Sequence, residues 1–214
     1  LSIGQQNILI SGSIGISTYP EDGEKVEDLL VSVDLAMHHS KLLGKNSYAF
    51  FESSMRDTLN RQSALEDALI GALERNEFYI VYQPKYEISS NSIMGFEALL
   101  RWDNPNFKNI GPDEFIPILE QTGIINDVGL FVLENSLKVL KKWQGFSQRP
   151  LQMAVNMSPV QFNDPMLFEL IQKKMAKYNL KGRSLEIEIT EGVLLEGSKA
   201  LENTLAELRN AGIG

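Results

Sequence analysis

Residues 95–102 alternate as a strand does, and the alternation brings an acid and a base onto one side. Strand side chains point to opposite faces with period two. Ile93, Gly95, Glu97, Leu99 and Arg101 therefore share one face, and Met94, Phe96, Ala98, Leu100 and Trp102 the other. The second set is apolar enough to pack under helices. At about 3.3 Å per residue, Glu97 and Arg101 lie roughly 13 Å apart. That separation suits a metal-bound phosphate and an extended ligand better than an ion pair. The plainer alternative is an edge strand with one wetted face.

Two further segments carry the same kind of polar residue. Asn156 ends an apolar strand at 152–156, just before Ser158-Pro159 breaks it, and Glu188 lies towards the end of a strand at 185–191. Polar residues at the carboxyl ends of strands in a parallel βα-barrel face the active site. Burying two carboxylates and an amide without partners is costly, so the three need a common one. All offer hard oxygen ligands, with no imidazole or thiolate among them, which selects Mg²⁺ or Mn²⁺ over zinc. Taken singly, each has another use: Asn156 capping the next turn, Glu188 pairing with a lysine.

The elements that would position these residues are legible from periodicity. Residues 8–18 read as a β-rich stretch and 19–23 as a turn. Val26, Leu29, Leu30, Val33 and Met37 recur at helical spacing up to a stop at Gly44, and 48–51 is a short aromatic strand. Residues 53–76 read as one charged amphipathic helix connecting two folded units. From Phe78 onward the order is strand, strand, helix, helix, strand, helix, strand, helix. Pro112 with Asp113 and Glu114 makes a favourable first helical turn. Strands alternating with helices argue for a parallel sheet or βα-barrel, an α/β class.

Composition bounds the function classes. The 214 residues carry a net charge of −8, against a basic groove for a nucleic-acid polymer but compatible with a small anionic nucleotide held by local cations. Absence of cysteine removes disulfides and thiolate zinc sites and fits a cytoplasmic location. No apolar run is long enough for a helix to cross a bilayer. The chain begins at Leu1 without an initiator methionine and stops at Gly214 after a helical pattern, which predicts a piece of a longer protein.

Five motifs, in order and spacing, resemble the EAL family of cyclic di-GMP phosphodiesterases: residues 82–85 (YQPK), 97–102 (EALLRW), 112–117 (PDEFIP), 154–158 (AVNMS) and 186–191 (EIEITE). The resemblance runs from about Phe78 to the end. It implies a TIM-like barrel whose first strand is antiparallel to the rest, and hydrolysis of cyclic di-GMP to linear pGpG with Mg²⁺ or Mn²⁺. By the same resemblance Glu97, Asn156 and Glu188 are metal ligands, and Glu191 steadies a catalytic loop. Arg101, Gln83 and the Leu99 backbone line the substrate. Paired metals activate water and neutralise charge in such displacements, and an arginine fork suits phosphate.

The amino-terminal part, with Ser13 to Ile16, Tyr19-Pro20, residues 34–37, Lys41 and residues 44–46, resembles the closing third of a GGDEF domain. In that family Lys41 and Lys45 would help bind a nucleoside triphosphate. Their i, i+4 spacing puts them on one helical face, although both also complement a helix carboxyl end. The pair His38-His39 has no acidic or cysteine partner nearby in sequence, and a surface role is favoured. The expected organisation is thus 1–52 from a GGDEF α+β domain, a connecting helix at 53–76, and 77–214 as the first part of an EAL barrel.

The resemblance also implies what is missing. The GGDEF motif would lie before Leu1, and the paired aspartates of the EAL site after Gly214. The expectation is therefore an incomplete barrel with an unpaired edge and an uncovered apolar face, inactive and poorly stable alone, within a phosphodiesterase parent. That parent is expected to dimerise through its EAL domain and to be cytoplasmic or anchored by upstream segments. Two other function classes stay open: a degenerate cyclic di-GMP receptor, and a regulatory scaffold in which the 53–76 helix transmits dimer geometry.

Overall fold

The computed structural model of the 214-residue protein describes residues 2–3, 6–7, 11–42, 46–189 and 199–214. Two compact units divide at Ala64/Leu65. In the first, the short strands β1 (Ser2–Ile3) and β2 (Gln6–Asn7) pair antiparallel. Strand β3 (Ile14–Ile16), helix α1 (Val26–Leu42) and strand β4 (Tyr48–Phe50) form a parallel crossover with Ile14 opposite Tyr48 and Ile16 opposite Phe50. This is the strand–helix–strand order expected, although the strand is confined to 14–16 within the longer stretch anticipated. Residues 8–10 and the helix stop at Gly44 lie outside the described residues.

Helix α2 (Ser53–Leu69) ends seven residues before the expected Asn76. The cause is local. Gly71 adopts φ 72°, the left-handed conformation that closes helices and costs glycine no Cβ clash. The orphan carbonyls of the last turn then find a side chain. Arg75 donates from Nη2 to Ala68 O (2.5 Å) and from Nη1 to Ile70 O (2.8 Å). Arg75 Nε also reaches Glu77 Oε1 at 2.5 Å, while Glu77 Oε2 accepts from Trp102 Nε1 (3.0 Å) and Asn104 Nδ2 (2.9 Å). The Arg75 guanidinium holds the Glu77 carboxyl below its ordinary range, burial opposing and the two neutral donors assisting.

The second unit is built on a sheet in the order β5 (Phe78–Glu87), β6 (Ser92–Trp102), β7 (Gln152–Asn156), β8 (Leu185–Glu188). Strand β5 is antiparallel to β6, and β6, β7 and β8 are mutually parallel. At the outer edge of β8, Ile187 N donates to Gly214 O (2.9 Å) and Gly214 N to Leu185 O (3.1 Å). The apolar face is not left uncovered. Phe78, Ala98, Trp102, Met153, Val155 and Leu185 are buried there. Helix α3 (Pro112–Thr122) buries Phe115, Ile118 and Leu119, and α4 (Ile125–Gln144) buries residues at helical spacing from Ile125 to Leu140. Trp143 packs its ring on Phe96 and Tyr82, with centroids 4.4 and 5.2 Å away.

Helix α5 (Leu167–Lys177) buries Leu167, Ile171 and Met175, and α6 (Lys199–Asn210) buries Leu201, Thr204 and Leu208. Helices α4 and α5 are tied by one carboxylate. Glu134 accepts from Lys174 Nζ (2.8 Å), Lys177 Nζ (2.5 Å) and the Tyr178 hydroxyl. Those donors hold the Glu134 carboxyl down to about 2, with Lys174 the largest contributor. Lowering a folded-state pKa adds stability above the unfolded value that disappears as pH falls through the folded one. Glu134→Gln should therefore cost about 1 kcal/mol at pH 7, solvent around the partly exposed cluster screening the rest. In paired thermal melts the difference from wild type should shrink from pH 4.5 to pH 2. A pH-independent difference would count against the ion cluster.

Candidate functional site

Register decides which side chains share the other face of the second unit's sheet. Gln83 stands opposite Glu97, Val81 opposite Leu99 and Tyr79 opposite Arg101. Across the parallel pairs, Glu97 aligns with Ala154, Ala154 with Glu186, and Asn156 with Glu188. One face thus collects Gln83, Lys85, Glu97, Leu99, Arg101, Asn156, Glu186 and Glu188. Tyr79 and Val81, on the same face, remain 48% and 38% exposed, so this face is open to solvent.

Contacts within the face are specific. Asn156 Nδ2 donates to Glu97 Oε1 at 2.8 Å, joining two expected site residues that are 59 positions apart. The capping alternative for Asn156 fails because Ser158 takes that role. Ser158 Oγ accepts from Val160 N (3.3 Å), and Ser158 N donates to Gln161 Oε1 (3.0 Å). Ser158 Oγ also donates to Glu120 Oε1 of α3 at 2.6 Å. The Gln161 side-chain amide packs against Gly129 of α4, where an added Cβ would come within 2.0 Å of Nε2 and force the amide to shift. Met157 N donates to Glu188 O at 2.9 Å. The turn after β7 is fixed from three sides, and with it the direction of Asn156.

Arg101 is half-buried, with Nη1 donating to Leu100 O at 2.8 Å. Among the described residues no carboxylate lies within ion-pair distance of it. Glu188 does have a partner, as the plainer reading allowed. Lys85 Nζ lies 2.8 Å from Glu188 Oε1 and 3.2 Å from Glu186 Oε1, crossing from the first strand of the sheet to the last. Burial works against the ammonium, but the two carboxylates outweigh it and raise its pKa. Neither Lys85 nor Glu186 was expected at the site. The signal was available, because Lys85 follows Gln83 by two and Glu186 precedes Glu188 by two.

For a divalent cation the donors fit in kind and in register. Glu97 and Asn156 already touch, and Glu188 is level with Asn156 on the next strand. Among the described residues no three acidic, histidine or cysteine side chains converge, because the third donor is an amide and Glu188 faces Lys85. Glu191 and Lys45 lie outside the described residues, whereas Lys41 is exposed in the last turn of α1. His38 and His39 line a small groove with Leu35, Met55, Thr58, Leu59 and Gln62 in the first unit. Among the described residues, no single helix is long and apolar enough to cross a membrane.

The EAL domain family matches residues 63–214, starting within α2 and therefore earlier than the Phe78 expected. The bifunctional diguanylate cyclase/cyclic di-GMP phosphodiesterase MucR of Pseudomonas aeruginosa is 35% identical over 212 residues, 99% of this chain and 31% of that protein. The cyclic di-GMP phosphodiesterase NbdA of the same organism is 28% identical over 213 residues, all of this chain and 27% of its own length. The chain thus spans about three-tenths of the length of these two curated relatives. Among solved structures, the PaMucR phosphodiesterase in complex with c-di-GMP superposes with a TM-score of 0.66 at 31% identity. That superposition covers 71% of this chain and 61% of the other. The EAL enzyme Bd1971 bound to cAMP and cyclic di-GMP gives 0.67 at 25% identity, covering 91% of this chain and 50% of the other. With the match covering well over half of its residues, this chain belongs to the EAL domain family.

Proposed function

We propose that this chain supplies the first part of the active site of a cyclic di-GMP phosphodiesterase, in which water opens one phosphodiester of the ring to give linear pGpG. The observation that carries this reading is the Asn156–Glu97 contact at 2.8 Å, with Glu188 in register beside Asn156. These three residues would hold Mg²⁺ or Mn²⁺, which when bound supplies positive charge against the phosphodiester. Arg101 grips a phosphate oxygen pair through its planar fork. Gln83, opposite Glu97, and the Leu99 backbone line the rest of the ligand, and Glu191 steadies a catalytic loop.

Residues 1–52 are read as the end of a GGDEF domain in which Lys41 and Lys45 touch nucleotide, with 53–76 as connector and 77–214 as the first part of an EAL barrel. The full protein is read as a cytoplasmic or membrane-anchored homodimer joined through its EAL domain. The Lys85–Glu188 ion pair favours one second reading, a receptor that binds the dinucleotide without hydrolysing it.

Chromatography of cyclic di-GMP incubated with the intact protein separates these readings. Linear pGpG should form with Mg²⁺ or Mn²⁺ and stop on chelation. Arg101→Met should raise KM by about tenfold or more, as loss of a charge-assisted hydrogen bond does. Binding without product would identify a receptor, and neither binding nor product would refute both.

A further inference from the structure

We infer that Lys85 is a resident counter-cation of the metal site, holding Glu188 when no divalent ion is bound and yielding it when one arrives. This rests on the reading of Glu97, Asn156 and Glu188 as metal donors. The ammonium lies 2.8 Å from Glu188 Oε1, the same carboxylate that the cation would need, so the two cations compete for one ligand. The second contact makes the exchange inexpensive. Glu186 Oε1 is 3.2 Å from the same nitrogen, two residues back along β8 and on the same face. A lysine that gives up Glu188 therefore keeps a partner and is not stranded in a half-buried setting. Its stem has room to move, because its neighbour across the ladder on β6 is Gly95, which places no side chain beside it. Lys85 is about one-third exposed, as are both glutamates, so a hydrated ion can reach the pair.

A positive charge several ångströms from a divalent ion weakens its binding even at high dielectric. Lys85 is thus a positioning residue that sets how much free metal the site requires. It also keeps Glu188 oriented while the site waits, so that the carboxylate does not need to be recruited from solvent.

The test is a Mn²⁺ titration of the intact protein followed by electron paramagnetic resonance, counting only binding that is lost in Glu97→Gln and Glu188→Gln. Lys85→Met should tighten that component about tenfold, while Lys85→Arg, which keeps the charge, should stay within about threefold of wild type. In wild type, the Lys85 side-chain nitrogen resonance should shift as Mg²⁺ saturates the site. Unchanged or weaker Mn²⁺ binding in Lys85→Met, or a resonance indifferent to Mg²⁺, overturns the inference while leaving the metal site standing. Absence of any Glu97-dependent binding in wild type overturns the metal site and the inference with it.

Discussion

Glu97→Gln should sharply reduce metal-dependent hydrolysis in the intact protein while leaving the fold in place. The substitution keeps the size of the side chain and a carbonyl oxygen able to accept from Asn156 Nδ2, now 2.8 Å from the carboxylate. Only the negative charge that would hold a cation is lost. Ligand charge supplies several kcal/mol of transition-state stabilisation at such sites, so kcat should fall by about 10²–10³-fold. Divalent binding should weaken in parallel, and the melting temperature should stay the same or rise slightly once a half-buried carboxylate with no ion-pair partner among the described residues is neutralised. The measurement is steady-state turnover of cyclic di-GMP beside a thermal melt. Turnover within threefold of wild type would remove Glu97 from the site.

The largest stability effect should come from Phe115→Ala. Phe115 is fully buried in α3 and its ring sits 6.2 Å from Phe78 and 6.0 Å from Trp102, centroid to centroid. This aromatic cluster joins α3 to the beginning of β5 and the end of β6. Truncation removes both the transferred surface and the contacts around the cavity that remains, at a cost of about 3–5 kcal/mol. For a unit of this size that is roughly 10 °C or more in melting temperature. Urea unfolding should show the midpoint shift with an unchanged slope. A loss below about 1 kcal/mol would mean that the cluster is not packed as described.

Much of the site was legible from period-two alternation. It assigned Glu97 and Arg101 to one face of β6 and Phe96, Ala98, Leu100 and Trp102 to the other, and the burial of Ala98 and Trp102 agrees. Asn156 at the end of β7 and Glu188 at the end of β8 were found the same way, since strand ends are local features. The ion pair of Lys85 with Glu188 was not legible, because it joins residues 103 positions apart across a sheet whose curvature no local pattern encodes. The end of α2 was misjudged for a different reason. Leu73 continues the helical spacing of Leu65 and Leu69, but Gly71 and the Arg75 cap break the helix first. The Glu134 cluster was equally invisible, because its lysine partners lie on the next helix, 40 and 43 positions along the chain.

Glu77 sits where the chain enters the sheet, and because β5 runs against its neighbours, this is also where β6 leaves it. Its carboxylate accepts from Trp102 and Asn104, its carbonyl accepts from Asp103 N at 2.8 Å, and Arg75 links it back to the last turn of α2. Arg101 is the next residue along. Mechanically the joint behaves as a weld: a small rotation of the last turn of α2 has no slack loop in which to dissipate. It is delivered to the backbone beside the arginine that would meet the phosphate.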